Sequence, residues 1–571
     1  MKPDGLISKG RAWMAQDLRA TGIIFFLFFG FTFFKTLLFD YYAFHQGFFP
    51  TMNESTDKIF ASIICKLSIS LLLASLTFLF NDKRWMILLS FIIDAWCIVN
   101  LIYLRNNNIM LDGEAFNQAD ILNGFSGGFI YIEWIIDLLF LLLTALWSCI
   151  FIFTTKSDRV VPLWLISLFL AVVLRLLGAG LNNSLGNNLL TRDGREYVFG
   201  WSFANTIKST SILESPLYAV ADYIEVKSNK KPYHPLSQPT KEHIKPLIND
   251  GVYQPTQDPL IIILVESFEN WVFKEDIMPN LYRLAQSEHV LYADNIHPQI
   301  LGAPSADGQM IVNTGLLPIN AGATCLHYSH NTYPALMKTT NEHSVCLLSY
   351  DMTLGNQTEM SPAFGYDTTI ISSDVDTILF AELNRLIDSG EKYIQCITHS
   401  TSAPFKNGEQ SSFALPDGMP RVMSDYIRSF NSFDEGIKVF VDKLLTDSEM
   451  KNFTVVITGS RRVFHREKRE QMQAYCEQSG LDYNVESDVL PLIIYSPRIQ
   501  GNVHYTDDAY QMDVYPTILS LIGMEDYLWR GVGANLLDSA STADRYIKVG
   551  EVEPLCDRII RNNYFATFEN K

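Results

Sequence analysis

Five apolar segments within the first 180 residues constrain the fold of this chain most strongly. They lie near residues 21–40, 59–80, 85–104, 129–154 and 160–179. Each has the length of roughly 20 residues that a helix needs to cross the hydrocarbon core of a bilayer. Because four more segments follow the first, the first does not have the pattern of a cleaved signal peptide. The sequence predicts a five-helix transmembrane bundle over residues 1–180.

Lysine and arginine are unevenly distributed between the two sets of loops that flank these segments. One set contains Lys2, Lys9, Arg11, Arg19, Lys83, Arg84, Lys156 and Arg159. The other set contains only Lys58 and Arg105. Cytoplasmic loops carry the excess of positive charge in membrane proteins. We therefore expect the amino terminus in the cytoplasm and everything beyond residue 180 on the opposite side of the membrane.

Several charged residues lie within the apolar segments or at their edges, where charge is costly. We expect Lys35, Lys66, Glu133 and Arg175 to lie close enough to a segment end for their charged groups to reach water. Asp94 and Asp137 lie deeper. A lipid-binding groove lined by these two carboxylates is one alternative for them, and a purely structural role is the other.

The pattern changes after the membrane segments. Residues 181–250 are polar and mixed, and they predict a helical juxtamembrane linker with an amphipathic helix over Ile207–Val226. Beyond them, residues 251–571 alternate between β-rich apolar runs and helical patterns. The apolar runs are Leu260–Val265, Ser344–Ser349, Thr369–Ile371, Tyr393–Thr398, Phe453–Thr458 and Leu490–Tyr495. The helical patterns are Met278–Ser287, Asp374–Ser389, Met423–Thr446 and Gln471–Ser479. This alternation predicts a doubly wound α/β domain with a mostly parallel sheet.

Charge and cysteine usage exclude some classes of protein. The net charge is −18, and no basic face typical of nucleic-acid binding is visible, so no nucleic-acid partner is expected. The eight cysteines are scattered singly, without a CxxC pair or a zinc-binding spacing. We expect mostly buried thiols and at most one disulfide.

Candidate functional residues lie where predicted strands end. In open α/β sheets, binding and catalytic residues lie at the carboxyl ends of the strands. Glu266 follows a run of six aliphatic residues, and it is either a ligand for a hard cation or a capping or solvated carboxylate. Ser305 precedes a helical pattern, and it either points its hydroxyl into a site or serves as an ordinary N-cap. A third buried strand ends at Gly459, and Ser460 and Arg461 follow it.

These segments carry a resemblance to a known family. The segments are Leu260–Ser267, Ser305–Gln309, Asn313–Pro318, Asp513–Leu519 and Gly533–Leu537. In this order and at this spacing they resemble the lipoteichoic acid synthase-like family of the sulfatase and alkaline phosphatase superfamily. The resemblance extends along nearly the full chain, because that family also has five membrane spans, a helical linker and an extracytoplasmic sulfatase-like α/β domain. It implies a protein of the bacterial cytoplasmic membrane.

The resemblance also implies a chemistry. In this family a divalent metal, Mn²⁺ or Mg²⁺, lies beside a hydroxyl nucleophile that attacks a phospholipid head group. Glu266 falls on the first metal-ligand position, and Ser305 falls on the nucleophile position. A phosphoglycerol or phosphoethanolamine group is then passed to an acceptor. The implied partners are a membrane lipid or a phosphorylated envelope glycan or lipid, and a protein partner in the membrane is a further alternative.

Other positions depart from the family pattern. Where the family has an Asp and a His as metal ligands, this chain has Ser460 and Arg461. Arginine keeps its proton in proteins, so it cannot coordinate a metal. Ser402 stands at the position of the family's substrate-binding His, and His399 lies three residues earlier. In the segment Leu354–Met360, Gly355 and Gln357 replace the family's Trp and Arg, with Asn356 between them.

Two hypotheses about the function follow. The first is a pseudoenzyme with a degraded metal site and no metal cofactor, which binds a phosphorylated envelope component or a partner through a pocket formed by Asn356, Gln357, His399, Ser402 and Arg461. The alternative is an active metal-dependent transferase that uses Ser305 as its nucleophile. That alternative needs replacement ligands, for which His327, His330, His399 and His465 are the candidates.

Overall fold

The structure, a computed structural model, describes most of the chain in a series of segments. The described residues are 4–44, 56–107, 110–111, 134–149, 159–184, 207–208, 210–217, 220, 236, 238–249, 251–299, 304–318, 333–350, 357–403, 405, 408, 411–464, 466–543 and 549–567. They form two compact units, a helical unit within residues 1–225 and an α/β unit within residues 226–571.

Apolar helices form the helical unit. They are α1 (Asp4–Phe44), α2 (Thr56–Ser75), α3 (Arg84–Asn107), α4 (Trp134–Ser148) and α5 (Val161–Ser184). Four helical stretches are long and apolar enough to cross a membrane, namely Arg19–Phe44, Ile59–Phe78 (which continues from α2 through a short 3-10 helix), Arg84–Leu104 and Val161–Leu181. These four confirm the predicted apolar helices at those places. The fifth predicted segment, 129–154, is described only over the 15 residues of α4, so the number of five spans and their orientation stay predictions.

A buried ion pair joins the helices of this unit. Lys35 of α1 pairs with Asp94 of α3, and their side chains are 1% and 0% exposed. Lys35 Nζ also donates to Ser90 Oγ of α3 at 2.9 Å and to Thr144 Oγ1 of α4 at 2.6 Å. The prediction that Lys35 reaches water is therefore wrong, because its charge is neutralised inside the unit. Asp94 is turned inward as well, so it does not line an open groove.

Two further ion pairs of this unit involve Lys66 of α2 and Arg175 of α5. Lys66, also expected to reach water, is buried and lies 2.8 Å from Asp40. Arg175 lies 2.8 Å from Glu214.

Ser211 is extended, with φ −163° and ψ 146°, and its hydroxyl accepts a hydrogen bond from the backbone of Leu213. The predicted continuous helix over 207–226 is therefore interrupted at Ser211, while residues 185–206 and 221–235 lie outside the described residues.

In the described part of the α/β unit, nine strands form one sheet. They are β1 (Leu260–Val265), β2 (Val290–His297), β3 (Ser344–Leu348), β4 (Thr368–Ile371), β5 (Tyr393–Ile397), β6 (Thr454–Gly459), β7 (Leu490–Tyr495), β8 (Asn502–Tyr505) and β9 (Ala509–Tyr510). The order is β4-β3-β5-β1-β6-β7-β2-β8, with β9 beside β2. Only β7 runs antiparallel to its neighbours among these strands. This confirms the predicted α/β unit with a mostly parallel sheet.

The central strand β1 is buried on both faces. Leu260, Ile262 and Leu264 contribute to one hydrophobic core, and the residues between them contribute to the core on the other face. A strand with aliphatic side chains on both faces is stable only between two covering layers. Helices on both sides provide those layers, so every residue of β1 is buried up to the strand end that precedes Glu266.

The helices of this unit are shorter and more varied. They are α6 (Gln238–Ile244), α7 (Pro279–Ala285), α8 (Pro304–Thr314), α9 (Gln357–Ala363), α10 (Asp376–Asp388), α11 (Arg421–Thr446), α12 (Arg466–Ser479), α13 (Val514–Leu521), α14 (Ser539–Ala543) and α15 (Val549–Arg561). In α11, Tyr426, Phe430, Phe433 and Ile437 are buried at helical spacing against the sheet. The four predicted helices correspond to α7, α10, α11 and α12.

Three strands were not predicted. β2 contains Asp294 and Asn295, and half of its residues are partly exposed, so its sequence lacks a continuous apolar run. β8 and β9 are short and lie beside β2, at one side of the sheet. The cysteines in the described part of the chain are free thiols, and all but Cys149 are buried, as expected for mostly buried thiols.

The Lys35–Asp94 pair generates a stability prediction. Removing one partner leaves an uncompensated buried charge, whereas replacing both by apolar residues removes the penalty. We expect Lys35→Met to cost about 3–5 kcal/mol, and Lys35→Met with Asp94→Leu to lie within about 1 kcal/mol of the wild type. Thermal unfolding of the full chain in detergent measures this. A double variant as unstable as the single variant would contradict the prediction.

Candidate functional site

The ends of three adjacent parallel strands form the candidate site. In the sheet, β5, β1 and β6 are neighbours, with Leu264 level with Ile397 and Val265 level with Gly459. The residues that directly follow these strands therefore meet at one edge. Glu266 follows β1, and Ser460 and Arg461 follow β6. The sheet register explains why residues nearly 200 positions apart in sequence lie together.

Glu266 is the centre of this site. Its side chain is 3% exposed, and both carboxylate oxygens accept hydrogen bonds. Ser305 Oγ donates to Oε1 at 2.9 Å, and Ser460 Oγ donates to Oε2 at 2.8 Å. Arg461 Nε also donates to Oε1 in a close ion pair. Three of the residues predicted from the sequence to share the site with Glu266 therefore contact it directly.

The backbone of Glu266 is fixed as firmly as its side chain. Its N–H donates to Thr398 Oγ1 at 3.2 Å, and its carbonyl accepts from Thr401 Oγ1 at 2.6 Å. The next residue, Ser267, has φ 58°, in the left-handed region that non-glycine residues rarely adopt. This turn directs the chain away from the sheet directly after Glu266. Such local strain persists only where the surrounding structure holds it in place.

The helix that carries Ser305 packs directly against the segment after β6. α8 begins at Pro304, so Ser305 lies inside the first turn and is not its N-cap. A Cβ atom at Gly308, one turn later, would lie 2.3 Å from the carbonyl oxygen of Ser460. Only glycine permits this approach, which holds the start of α8 close to Glu266. Because Ser305 lies inside the first turn of α8, the N-cap alternative for this residue is excluded.

Three of the other predicted pocket residues, Gln357, His399 and Ser402, lie near this centre. His399 Nε2 and Ser402 Oγ are hydrogen-bonded at 2.9 Å, and the ring of Tyr350 packs on His399 with 4.3 Å between ring centroids. Gln357 Nε2 donates to the carbonyl of Ser305 at 3.4 Å. Asn356 lies outside the described residues, as do His327, His330 and His465. The placement of these residues does not test their roles, which stay predictions.

Electrostatics keep Glu266 ionised. Burial alone would raise its pKa, but the charge of Arg461 and the hydrogen bonds from Arg461 and Ser460 outweigh burial and lower the pKa from its ordinary value of 4.5. Burial lowers the pKa of His399, and the nearby Arg461 charge adds to that effect, although Glu266 opposes it. At neutral pH the centre is therefore a carboxylate paired with a guanidinium, beside a neutral imidazole.

Three further residues support the site and were not identified from the sequence. Thr401 holds the carbonyl of Glu266, as described above. Tyr350 covers His399 from the end of β3. Gln511 is fully buried and donates to the carbonyl of Ser460 at 3.1 Å. Thr401 and Tyr350 follow strand ends in the sequence, which is the signal that identified Glu266, whereas Gln511 has no comparable local signal.

Comparison with known proteins supports the resemblance carried by the motifs. No protein-family model matches the chain. Lipoteichoic acid synthase 2 of Bacillus subtilis is 26% identical over 302 residues, which are 48% of this chain and 46% of that protein, so the match spans about half of that relative. The lipoteichoic acid synthase of Staphylococcus saprophyticus is 23% identical over 526 residues, 82% of this chain and 78% of that protein. Among solved structures, the lipoteichoic acid synthase LtaP of Listeria monocytogenes is 16% identical, with a TM-score of 0.46 over 58% of this chain and 98% of that chain. The predicted resemblance to lipoteichoic acid synthases is confirmed.

The lowered pKa of Glu266 generates a pH prediction. A carboxyl group whose pKa is lower in the folded state stabilises the fold above its unfolded pKa, and this stabilisation is lost as pH falls through the folded pKa. We expect the wild type to exceed Glu266→Gln in stability by about 2 kcal/mol at pH 6–7. The difference should shrink progressively below about pH 4.5.

Denaturant unfolding of both proteins between pH 3 and pH 7 tests this expectation. The substitution Glu382→Gln is a suitable control, because Glu382 forms an ion pair with Arg385 on the protein surface. Its effect on stability should stay within about 0.5 kcal/mol throughout. A Glu266→Gln difference that is constant with pH, or that grows towards acid, contradicts the assignment of the ionised carboxylate.

Proposed function

We infer that this protein, which is similar to the lipoteichoic acid synthases, is a membrane-bound pseudoenzyme that binds a phosphorylated lipid or glycan of the bacterial envelope. The observation that carries this proposal is the ion pair between Arg461 and Glu266. A guanidinium on this carboxylate supplies the positive charge that a divalent metal would bring in the family. Binding then takes place without the metal that activates the nucleophile.

The donors around Glu266 do not fit a divalent metal. Both carboxylate oxygens are already acceptors for Ser305, Ser460 and Arg461. In the described segments, no group of three or more His, Cys, Asp or Glu side chains is arranged to hold a metal ion. The fixed charge of Arg461 would repel a cation placed beside Glu266. The replacement of the two family ligands is therefore a change of chemistry as well as of residue type.

Ser305 is also poorly activated for attack on phosphorus. Its hydroxyl donates to Glu266, whose pKa is lowered, so the carboxylate has little tendency to take the proton. The neutral His399 is engaged with Ser402. Hydroxyl nucleophiles need an adjacent base, a lowered pKa or a metal. With none of these supplied by the described contacts, Ser305 serves as a hydrogen-bonding group in a binding site.

Arg461 can contact both Glu266 and a ligand. Its side chain is 23% exposed, and it bonds Glu266 through Nε. Its two terminal amino groups have no hydrogen-bond partner in the described part of the chain. A planar guanidinium with free amino groups is suited to phosphate oxygens. The proposed ligand places its phosphate there, at the rim that includes Gln357, His399 and Ser402.

The proposed setting is the bacterial cytoplasmic membrane. The apolar helices of the amino-terminal unit support a membrane protein. The distribution of lysine and arginine favours a multi-pass chain with a cytoplasmic amino terminus and an extracytoplasmic α/β unit. The α/β unit would then face the compartment in which envelope polymers are assembled. A protein partner in the same membrane is compatible with this placement.

One observation favours the alternative function. Ser305 lies at the start of a helix, 2.9 Å from Glu266, in the place that a nucleophile would occupy in a metal-dependent phosphoglycerol or phosphoethanolamine transferase. That function requires bound Mn²⁺ or Mg²⁺ despite Arg461. The two functions differ in metal content and in turnover, so both are measurable on the purified full chain.

The metal prediction rests on restoring the two family ligands. We expect the wild type to bind no stoichiometric Mn²⁺, whereas Ser460→Asp with Arg461→His should bind Mn²⁺ at least about 100-fold more tightly, because two donors join Glu266 and a repelling charge is removed. Calorimetric titration with Mn²⁺ and metal analysis of the dialysed protein measure this. Arg462→His is the matched control, since its partner is Asp488 and it does not contact Glu266.

Turnover distinguishes the two functions. Under the proposal, the wild type with Mn²⁺ releases no diacylglycerol from phosphatidylglycerol or phosphatidylethanolamine vesicles above the Ser305→Ala background. Stoichiometric metal in the wild type together with turnover that depends on Ser305 would overturn the pseudoenzyme proposal. Vesicle binding that is lost in Arg461→Gln is the positive result the proposal requires.

A further inference from the structure

A second buried ion pair joins the same two segments of the chain as the Glu266–Arg461 pair. Glu269 and Arg469 are paired, with side chains 0% and 7% exposed. Glu269 lies on the segment that follows β1, three residues after Glu266, and Arg469 lies in the first turn of α12. Both pairs therefore join the segment after β1 to the segment after β6. The Glu266–Arg461 pair lies at the candidate site, and the Glu269–Arg469 pair lies in the interior.

Glu269 binds the segment that carries Arg461. Its Oε1 accepts a hydrogen bond from the backbone N–H of Val463 at 2.7 Å and the ion-pair bond from Arg469. Its Oε2 accepts from the indole of Trp271 at 2.8 Å. Val463 is only two residues after Arg461. The backbone next to Arg461 is thus hydrogen-bonded to a carboxylate whose other oxygen accepts from a buried indole.

Arg469 binds the same segment from its other side. It donates to the carbonyl of Phe464 at 3.0 Å, and to the carbonyls of Val485 and Ser487 at 2.9 Å and 3.2 Å. Together, the N–H of residue 463 and the C=O of residue 464 are both fixed by one ion pair. A buried ion pair contributes little net stability compared with apolar residues, so its clearest effect is on geometry.

The close approach of the two segments limits their freedom further. A Cβ atom at Gly459 would lie 2.4 Å from the carbonyl oxygen of Phe268. The N–H of Ser460 donates to the carbonyl of Val265 at 2.9 Å. Residue 461 therefore lies between two anchored points, the β1–β6 pairing before it and the Glu269–Arg469 pair after it.

From this arrangement we propose that Glu269 and Arg469 are positioning residues that direct the side chain of residue 461 onto Glu266. Arg469 also neutralises Glu269, so Arg461 has Glu266 as its carboxylate partner and does not compete for the interior one. This inference deepens the proposed function and rests on it, because it identifies what keeps the cation in the metal's place. The same geometry would direct a histidine at position 461 towards Glu266.

The first experiment uses Mn²⁺ alone as the probe, in the Ser460→Asp, Arg461→His background. Arg469→Lys keeps the charge but lacks the planar fork that reaches three carbonyls. We expect it to weaken Mn²⁺ binding about 10–100-fold, as loss of a group that orients a ligand does. The control Arg462→Lys, in a half-exposed pair with Asp488 on the same segment, should change Mn²⁺ binding less than about 3-fold. Equal effects of the two lysine substitutions, with both proteins folded, would overturn the inference.

A second measurement keeps the inference testable when the restored ligands fail to bind Mn²⁺, a result that would contradict only the expected gain in Mn²⁺ affinity. In the otherwise wild-type chain, hydrogen exchange followed by mass spectrometry reports on the backbone after β6. Arg469→Lys should speed exchange in a peptide covering residues 461–464 at least about 10-fold, whereas Arg462→Lys should leave it unchanged. Unchanged exchange in Arg469→Lys would show that the pair does not fix this segment.

Discussion

A carboxylate at the end of a strand buried on both faces must be neutralised, and the candidate site of this protein is organised around that requirement. Glu266 is almost completely buried, yet its pKa is lowered, so it remains charged. Two hydroxyls and one guanidinium provide the compensation. Because burying an unpaired charge costs several kcal/mol or more, this carboxylate needs a cation beside it. Arg461 is that cation.

Under the proposed function an arginine takes the place of a metal, and this exchange has consequences beyond charge. A divalent ion accepts electron pairs, whereas a guanidinium donates hydrogen bonds, so the proposed site would attract phosphate oxygens without a Lewis acid that activates a hydroxyl. The interior Glu269–Arg469 pair gives the segment after β6 a defined path. Under the proposed function, this arrangement would bind a phosphate group without catalysing its transfer, whereas a metal would do both.

Sequence patterns predicted much of the fold and much of the site, for identifiable reasons. Leu260–Val265 is apolar throughout, so its position as a central strand and the place of Glu266 after it could be inferred from burial alone. β2 could not, because half of its residues are only partly buried and polar residues such as Asp294 interrupt the apolar pattern. The locations of Ser305 and Arg461 followed from motif resemblance, and their contacts depended on the sheet register. Gln511 was not predicted, because its contact is with the carbonyl of Ser460, 51 residues earlier in the chain.

Lys35 and Asp94 also have a consequence for how the protein is made. Helix α1 is synthesised before helix α3, so Lys35 is made before the carboxylate that neutralises it. Until then the ammonium of Lys35 lacks this partner, and an unpaired charge in hydrocarbon is disfavoured by a few kcal/mol. Thr144 arrives later still, on α4. The charge of Lys35 is therefore neutralised only after α3 has been made, so the burial of this residue in α1 depends on helices that follow it in the chain.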